Sequence, residues 1–427
     1  MTPQVPRVAI IGLGGFAHAH HRALHALEEA GECRVVGACD PAPDDFGTVT
    51  EGLKFRERDI TPCTDYLEML AAHGAGLDLV TVPTPIPLHA PMHRAAVERG
   101  VACYLEKPPT LYYVELDEML EVEARARKQT QVGFNFIVET TRQRMKERIL
   151  AGEFGRVRRA GFIGYWPRAT TYFTRAAWAA RLLLNGRLVL DSCVGNALAH
   201  YIHNLHFWCG QDGLLSWEEV AEAEVELYRA HAIENFDTCF VRGTCANGIE
   251  FHVAATHACA GSQYQREWIE CERATITYIV GDVCHIDWPD GRRETEEADR
   301  RDLIDNFRAY FQYLRGEVPR PLTRLIDSRP FVHFNNLIYV AAKAITTVPE
   351  EHIARTPTAN QEGELVAIRG IREVMETFAA QGHFPSEQSV AWSKPGGRAS
   401  ADEIPRLLSV VQAISDERAE ETHGKAP

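Results

Sequence analysis

The chain has 427 residues, 45% of them hydrophobic and 24% charged, with a formal net charge of −14. That length exceeds one ordinary core and predicts at least two domains of a globular protein. The acidic balance argues against non-specific nucleic-acid binding, and no apolar run approaches the roughly 20 residues of a membrane span. Residues 1–7 lack the shape of a signal peptide, and the eleven cysteines contain no Cys-x-x-Cys pair. They read as free thiols of a reducing cytoplasm.

The first apolar run, residues 8–11, enters the turn Gly12-Leu13-Gly14-Gly15-Phe16-Ala17, and a helical pattern carrying Leu24 and Leu27 follows. Gly12, Gly14 and Ala17 occupy the three small-residue places of a dinucleotide-binding turn. The first permits the tight turn, the second lets a pyrophosphate reach the backbone, and the third lets helix and strand pack closely. Residues 33–39 read as a second strand ending at Asp40, 23 residues beyond Ala17. An acidic residue at roughly that distance accepts hydrogen bonds from the adenosine ribose. Asp40 would repel a 2′-phosphate and Pro41 offers no cation, so the pattern favours NAD over NADP.

Strand and helix patterns then alternate: helix 65–72, strand 77–82, helix 90–99, strand 101–105, helix 114–128 and strand 131–136. Repeated βα units with apolar strands predict a doubly wound parallel sheet, whose ligands bind beyond the carboxyl ends of the strands. Thr84, Glu106, Lys107 and Asn135 all fall at or just after such ends. A lysine there can stabilise a developing alkoxide, whereas a surface ion pair with Glu106 is the plainer alternative.

In order, Gly12-Leu13-Gly14-Gly15 near His20, Asp40, Thr84-Pro85 with His89, Glu106-Lys107-Pro108 and Gly133-Phe134-Asn135 match known landmarks. On these residues the chain resembles the glucose–fructose oxidoreductase / inositol dehydrogenase (Gfo/Idh/MocA) family. The resemblance implies a Rossmann domain followed by an α/β domain with a large, mostly antiparallel sheet. It implies nicotinamide-dependent chemistry on sugars, cyclitols or related compounds, a catalytic role for Lys107, and a nicotinamide pocket shaped by Glu106. The implied cofactor set is Gly12, Gly14, Gly15, Phe16, Ala17, Asp40, Thr84, Pro85, His89, Glu106, Lys107 and Asn135.

Beyond about residue 137 the pattern changes. A helix at 140–151 precedes strand-like segments at 157–166, 223–228, 236–245, 249–257, 267–272, 275–280 and 283–288. Asn247-Gly248 is a strong hairpin signal and Asp290-Gly291 a second, so this sheet reads as antiparallel. Such a face commonly carries substrate contacts or a subunit interface, and a homo-oligomer, dimer or tetramer, is expected. Trp166, Arg168, Tyr172, Trp178 and Arg181 place rings beside arginines, which suits a sugar. Rings in a core and arginines on a surface would give the same pattern.

Residues 195–210 read as a helix start and body, with Asn196, His200 and Asn204 on one polar stripe and His203 beside it. A neutral histidine is a natural acceptor of an alcohol proton. The family usually sets an aspartate four residues before its catalytic histidine and another three after. Aligned on Gly210, that histidine is His200, and Asn196 and His203 replace the two aspartates. Asp191, nine residues before His200, is the candidate replacement carboxylate. The spacing of His200, His203 and His206 does not suit one metal ion.

Helices are further expected at 299–315, 327–345 and 362–378, and a tail from residue 386 with a helix at 401–418 could wrap a neighbouring subunit or be partly mobile. The expected division is a Rossmann domain at 1–137, a substrate and oligomerisation domain at 138–385, and the tail at 386–427. The whole reads as a cytoplasmic NAD-dependent oxidoreductase acting on a secondary hydroxyl of a sugar, glycoside or cyclitol. Two other readings stay open: a glycoside-cleaving enzyme that retains its NAD through transient oxidation and elimination, and a non-catalytic NAD-binding sensor.

Overall fold

A computed structural model describes residues 5–360 and 362–423, which fall into two compact units. The first takes in the chain up to Glu139 together with Arg301–Arg329. Its five strands are all parallel, in the spatial order Arg34–Cys39, Arg7–Ile11, Leu79–Val82, Ala102–Leu105, Gln131–Val132. The central strands are buried on both faces, which is why they read as unbroken apolar runs. From the strand Arg7–Ile11 the chain goes to one side for its second strand and to the other for its third. That reversal opens a crevice beyond the carboxyl ends, where the glycine turn lies.

The helix Leu303–Leu314 returns to this unit. Asp302 and Asp305 form a capping box at its start, and Phe307, Tyr310 and Phe311 pack with Val8, Leu24 and Tyr104. Its polar groups are also committed: the Tyr310 hydroxyl donates to the Gln129 carbonyl at 2.8 Å, and the Tyr313 hydroxyl accepts from the Gln129 N–H at 2.9 Å. Further on, the Thr323 carbonyl accepts from the Val132 N–H at 2.9 Å. The last strand of the sheet is thereby covered on its outer side rather than left as an open edge.

The second unit comprises Thr140–Arg300 and the chain from Pro330. Its large sheet has ten strands. Adjacent strands are mostly antiparallel, with parallel pairs where Glu250–Thr256 meets Val157–Tyr165 and where Thr346–Thr347 meets Val220–Arg229. Both hairpins form, with Gly248 at φ +84° and Gly291 at φ +86°. Along Val157–Tyr165 the faces alternate. Phe162 stacks on Tyr201 of the helix Ala199–Cys209, with ring centroids 4.7 Å apart. Ile163 and Tyr165 pack instead with Ile371, Met375 and Phe378 of the helix Ile371–Gln381.

Three expectations need correction. Residues 364–368 are a strand, Glu364–Ile368, paired antiparallel with Ile353–Pro357, and the helix starts only at Ile371. Val366 and Ile368 are drawn into the core, and Gly370 at φ +72° separates strand from helix. The strand expected at 131–136 stops at Val132, and Asn135–Val138 forms a 3₁₀ turn. The helix expected from residue 195 is interrupted: Cys193–Ala197 is a wide π turn, started by the Ser192 hydroxyl accepting from the Gly195 N–H, and the α-helix begins at Ala199. The C-terminal tail packs on the second unit. Its strand Gly397–Ser400 pairs with Val220–Arg229, and Leu407, Val411 and Ile414 are buried.

Gly161 lies under the Trp268 ring, where a Cβ would come within 2.1 Å of it. Gly161→Ala is expected to cost about 1–3 kcal/mol, read as a lower urea midpoint at unchanged slope. An unchanged midpoint would show that the ring moves aside freely.

Candidate active site

In the first unit the site is built on the turn after the strand Arg7–Ile11. Gly12 has φ +111°, and a Cβ there would lie 3.3 Å from the Ala17 Cβ and 3.7 Å from Thr84 Cγ2. The turn thus packs tightly on its own helix and on the loop that follows the third strand. A Cβ on Gly14 would meet the Phe46 ring at 2.8 Å, whereas Gly15, at φ +56°, has nothing within 4 Å of that position. Phe16 is 52% exposed. The mouth of the turn is therefore open at Gly15 and Phe16, as a dinucleotide phosphate requires.

Two side chains hold the turn from outside. Asp40 Oδ2 accepts from the Leu13 N–H at 2.9 Å, and Oδ1 from the Ala42 N–H at 3.1 Å. A carboxylate has about four acceptor positions, so capacity is left for ribose hydroxyls. His21 Nε2 lies 2.9 Å from the Gly12 carbonyl. Burial pushes the His21 pKa down to about 4 despite that bond, so the ring is neutral and donates.

Glu106 follows the strand Ala102–Leu105 and is only 4% exposed. Its Oε1 lies 3.0 Å from His20 Nε2, and its Oε2 accepts from the Lys107 N–H at 3.1 Å. A Cβ on Gly133 would come within 2.7 Å of this carboxylate. Gly133 is thus a glycine because Glu106 occupies the space beside it. Asn135 Oδ1 accepts from the Tyr104 hydroxyl at 3.0 Å. His89 bridges two loops, with Nδ1 at 2.9 Å from the Pro108 carbonyl and Nε2 at 2.8 Å from the Thr84 carbonyl. Burial lowers its pKa. His89 therefore sets the spacing of the Thr84-Pro85 and Lys107-Pro108 segments; Lys107 itself is half-buried.

In the second unit, rings and guanidiniums alternate. Arg168 lies 4.2 Å from the Trp166 centroid and 4.3 Å from that of Tyr172, and Arg175 lies 3.9 Å from Tyr172 and 4.8 Å from Trp178. Arg175 reaches Asp191 Oδ2 at 3.4 Å. Asp191 is 4% exposed and also accepts from the Ala180 N–H at 2.7 Å and from Asn196 Nδ2 at 2.9 Å. Burial raises its pKa, and these three donors oppose the rise without cancelling it. Asp191 and Asn196, nominated separately from the sequence, are in direct contact. Arg175 is not among the residues that the sequence singles out, although its place three residues after Tyr172 and three before Trp178 is a signal.

The polar stripe divides. His200 is half-buried in the first turn of the helix Ala199–Cys209. His203 is fully buried, and Trp217 Nε1 donates to its Nδ1 at 3.3 Å. Asn204 is buried as well and donates to Glu267 Oε1 at 2.8 Å. Glu267 also accepts from Arg142 at 2.7 Å and from Trp208 at 2.5 Å. At the far end of the helix, Lys146 donates to the Phe207 and Gly210 carbonyls. Burial pushes the Lys146 pKa down to about 7. The helix is anchored at that end, and His203 and Asn204 serve the anchoring. Arg181 is on the surface, 3.6 Å from Glu234.

Residues 6–134 match the family model described as "Oxidoreductase family, NAD-binding Rossmann fold" (GFO_IDH_MocA). Inositol 2-dehydrogenase 4 of Saccharopolyspora erythraea is 28% identical over 157 residues, which are 36% of this chain and 44% of the relative. The chain thus spans under half the length of this curated relative. Among solved structures, the WlbA dehydrogenase from Bordetella pertussis in complex with NADH and UDP-GlcNAcA superposes with a TM-score of 0.62 at 19% identity, over 79% of this chain and 96% of that one. An oxidoreductase from Agrobacterium radiobacter in complex with NAD+, L-tartaric acid and magnesium gives a TM-score of 0.64 at 17% identity, over 79% and 96%. These two likenesses establish the fold over most of the chain.

The neutral His21 makes a pH prediction. Its pKa is about 4 in the folded protein and about 6.5 unfolded, so as pH falls through that window the unfolded chain takes up a proton that the native state refuses. Its contribution is complete above pH 6.5 and falls by about 2 kcal/mol by pH 5. In His21→Gln, which keeps a donor for Gly12, the loss of unfolding free energy between pH 7.5 and 5 should shrink by about that amount. An unchanged loss would contradict the assignment.

Proposed function

We propose that this chain, whose residues 6–134 match the Gfo/Idh/MocA oxidoreductase family with an NAD-binding Rossmann fold, uses NAD to oxidise a secondary hydroxyl of a sugar, glycoside or cyclitol. The observation that carries the reading is the convergence of the open glycine turn, the Asp40 carboxylate and the Glu106-Lys107 pair at the carboxyl ends of one parallel sheet. The inositol dehydrogenase likeness supports the substrate class.

Each chain residue then has a task. Gly12, Gly14, Gly15, Phe16 and Ala17 receive the pyrophosphate, and Asp40 takes the ribose hydroxyls; its charge selects NAD over NADP. Thr84, Pro85 and Asn135 border the nicotinamide end. His89 and Glu106 keep the loops there in place through the bonds already described. Lys107 polarises the alcohol oxygen, and His200 accepts its proton, directly or through water. Asn196, oriented by Asp191, steadies the hydroxyl. Bound NAD supplies the acceptor for the hydride that leaves the carbinol carbon. Trp166, Arg168, Tyr172, Trp178 and Arg181 offer ring faces and donors to the substrate. The reading includes a homo-oligomer in a reducing cytoplasm, which the free thiols of the described cysteines suit.

The test is a panel of sugars, cyclitols and glycosides incubated with protein and NAD, following NADH and released aglycone together. At least one compound should yield NADH. Lys107→Ala and His200→Ala should each lower kcat about 10²–10⁴-fold while NAD still binds, and Asp40→Ala should weaken NAD binding instead. Full turnover in both the lysine and the histidine variants would refute the assignment. Aglycone release without net NADH would assign elimination in place of oxidation.

A further inference from the structure

The second unit contains a cavity of about 640 Å³, within the size range of small-molecule sites. Phe173 and Ile233 form an apolar wall, while Arg181, Glu234, Ser415 and Arg418 supply polar groups. The C-terminal helix Leu407–His423 contributes the last two of these, so that helix completes the cavity. Two arginines against one glutamate give the lining a formal charge of +1 among these groups, in a chain of net charge −14. Glu234 is engaged from both sides: Oε1 accepts from the Ser415 hydroxyl at 3.0 Å, and Oε2 lies 3.6 Å from Arg181. A guanidinium carries five N–H donors, and the Arg181 side chain is 55% exposed. Donors are therefore left over for a ligand oxygen.

The cavity shares a wall with the Asp191 cluster. Ala180 lines it and sits at φ +55°, a conformation costly for alanine. The conformation is held by two bonds. The Ala180 N–H donates to Asp191 Oδ2 at 2.7 Å, and its carbonyl accepts from the Asn235 N–H at 3.0 Å. One short loop thus has Asp191 on one side and the cavity on the other.

We propose that this cavity binds the anionic group, carboxylate or phosphate, of a sugar-like ligand, with Arg181 and Arg418 as its cationic partners and Phe173 and Ile233 against the carbon skeleton. The proposal rests on the carbohydrate reading of the protein and narrows it to acidic or phosphorylated sugars. Guanidinium–oxyanion bonds are charge-assisted and often bidentate, which gives them both strength and geometric selectivity.

The test is calorimetric titration of the full-length protein, without nicotinamide, with glucuronate, glucose 1-phosphate, glucose and inorganic phosphate. At least one of the two anionic sugars should bind about tenfold or more tightly than glucose, and the stronger of the two identifies the anion. In Arg181→Ala/Arg418→Ala the preference should fall to within about twofold. Equal affinities in the wild type, or a preference that survives the double substitution, would overturn the proposal. Inorganic phosphate binding as tightly as both anionic sugars would overturn the role of the apolar wall. If the double variant proves unstable, Arg418→Ala alone, on the C-terminal helix, must still reduce the preference. None of these titrations needs turnover. Charge preference without NADH formation would count against the oxidoreductase reading alone, and NADH formation without charge preference against the cavity alone.

Discussion

The first unit depends on one buried carboxylate. Glu106 reaches the helix after the first strand through His20, the chain after the fourth strand through the Lys107 N–H, and the end of the fifth strand through the space left at Gly133. Three separate segments meet on a single side chain at the mouth of the sheet. A buried carboxylate is costly unless such partners satisfy it. Their positions are therefore fixed together, and with them the backbone that presents Lys107. A larger residue at position 133 would compete with Glu106 for the same volume, so glycine and glutamate form one requirement.

The second unit solves a similar problem with more groups. Asp191 is held by the Ala180 N–H, Asn196 and Arg175, and Arg175 is itself stacked between two aromatic rings. Burial raises the pKa of this carboxyl, and the surrounding donors oppose the rise. The result is a carboxyl whose pKa burial holds above its ordinary value. A π turn precedes the helix that bears His200, and such turns recur at functional sites.

Much of the first unit was legible because its signals are local. Gly12, Gly14 and Ala17 announce the turn, and two-sided burial turns the central strands into apolar runs. Asn247-Gly248 likewise needs no remote partner to form a hairpin. What escaped depended on distant chain. Nothing between residues 303 and 314 says that this helix packs on Val8, Leu24 and Tyr104. Asn204 and His203 look like cleft residues in an apolar helix, yet both are buried inside the unit, where Asn204 donates to Glu267, distant in sequence, and His203 accepts from Trp217. The helix was expected to start at residue 195 because periodicity cannot register a π turn that hinges on one Ser192 hydroxyl. The strand Glu364–Ile368 was too short to show its period and merged with the helix after it.

The most direct test of the account is a crystal structure of the protein grown with NAD. The account predicts the pyrophosphate over Gly14-Gly15-Phe16, a ribose hydroxyl on Asp40, and the nicotinamide ring beside the Glu106-Lys107 pair. A pyrophosphate bound away from the glycine turn, or a nicotinamide ring remote from Glu106 and Lys107, would contradict it.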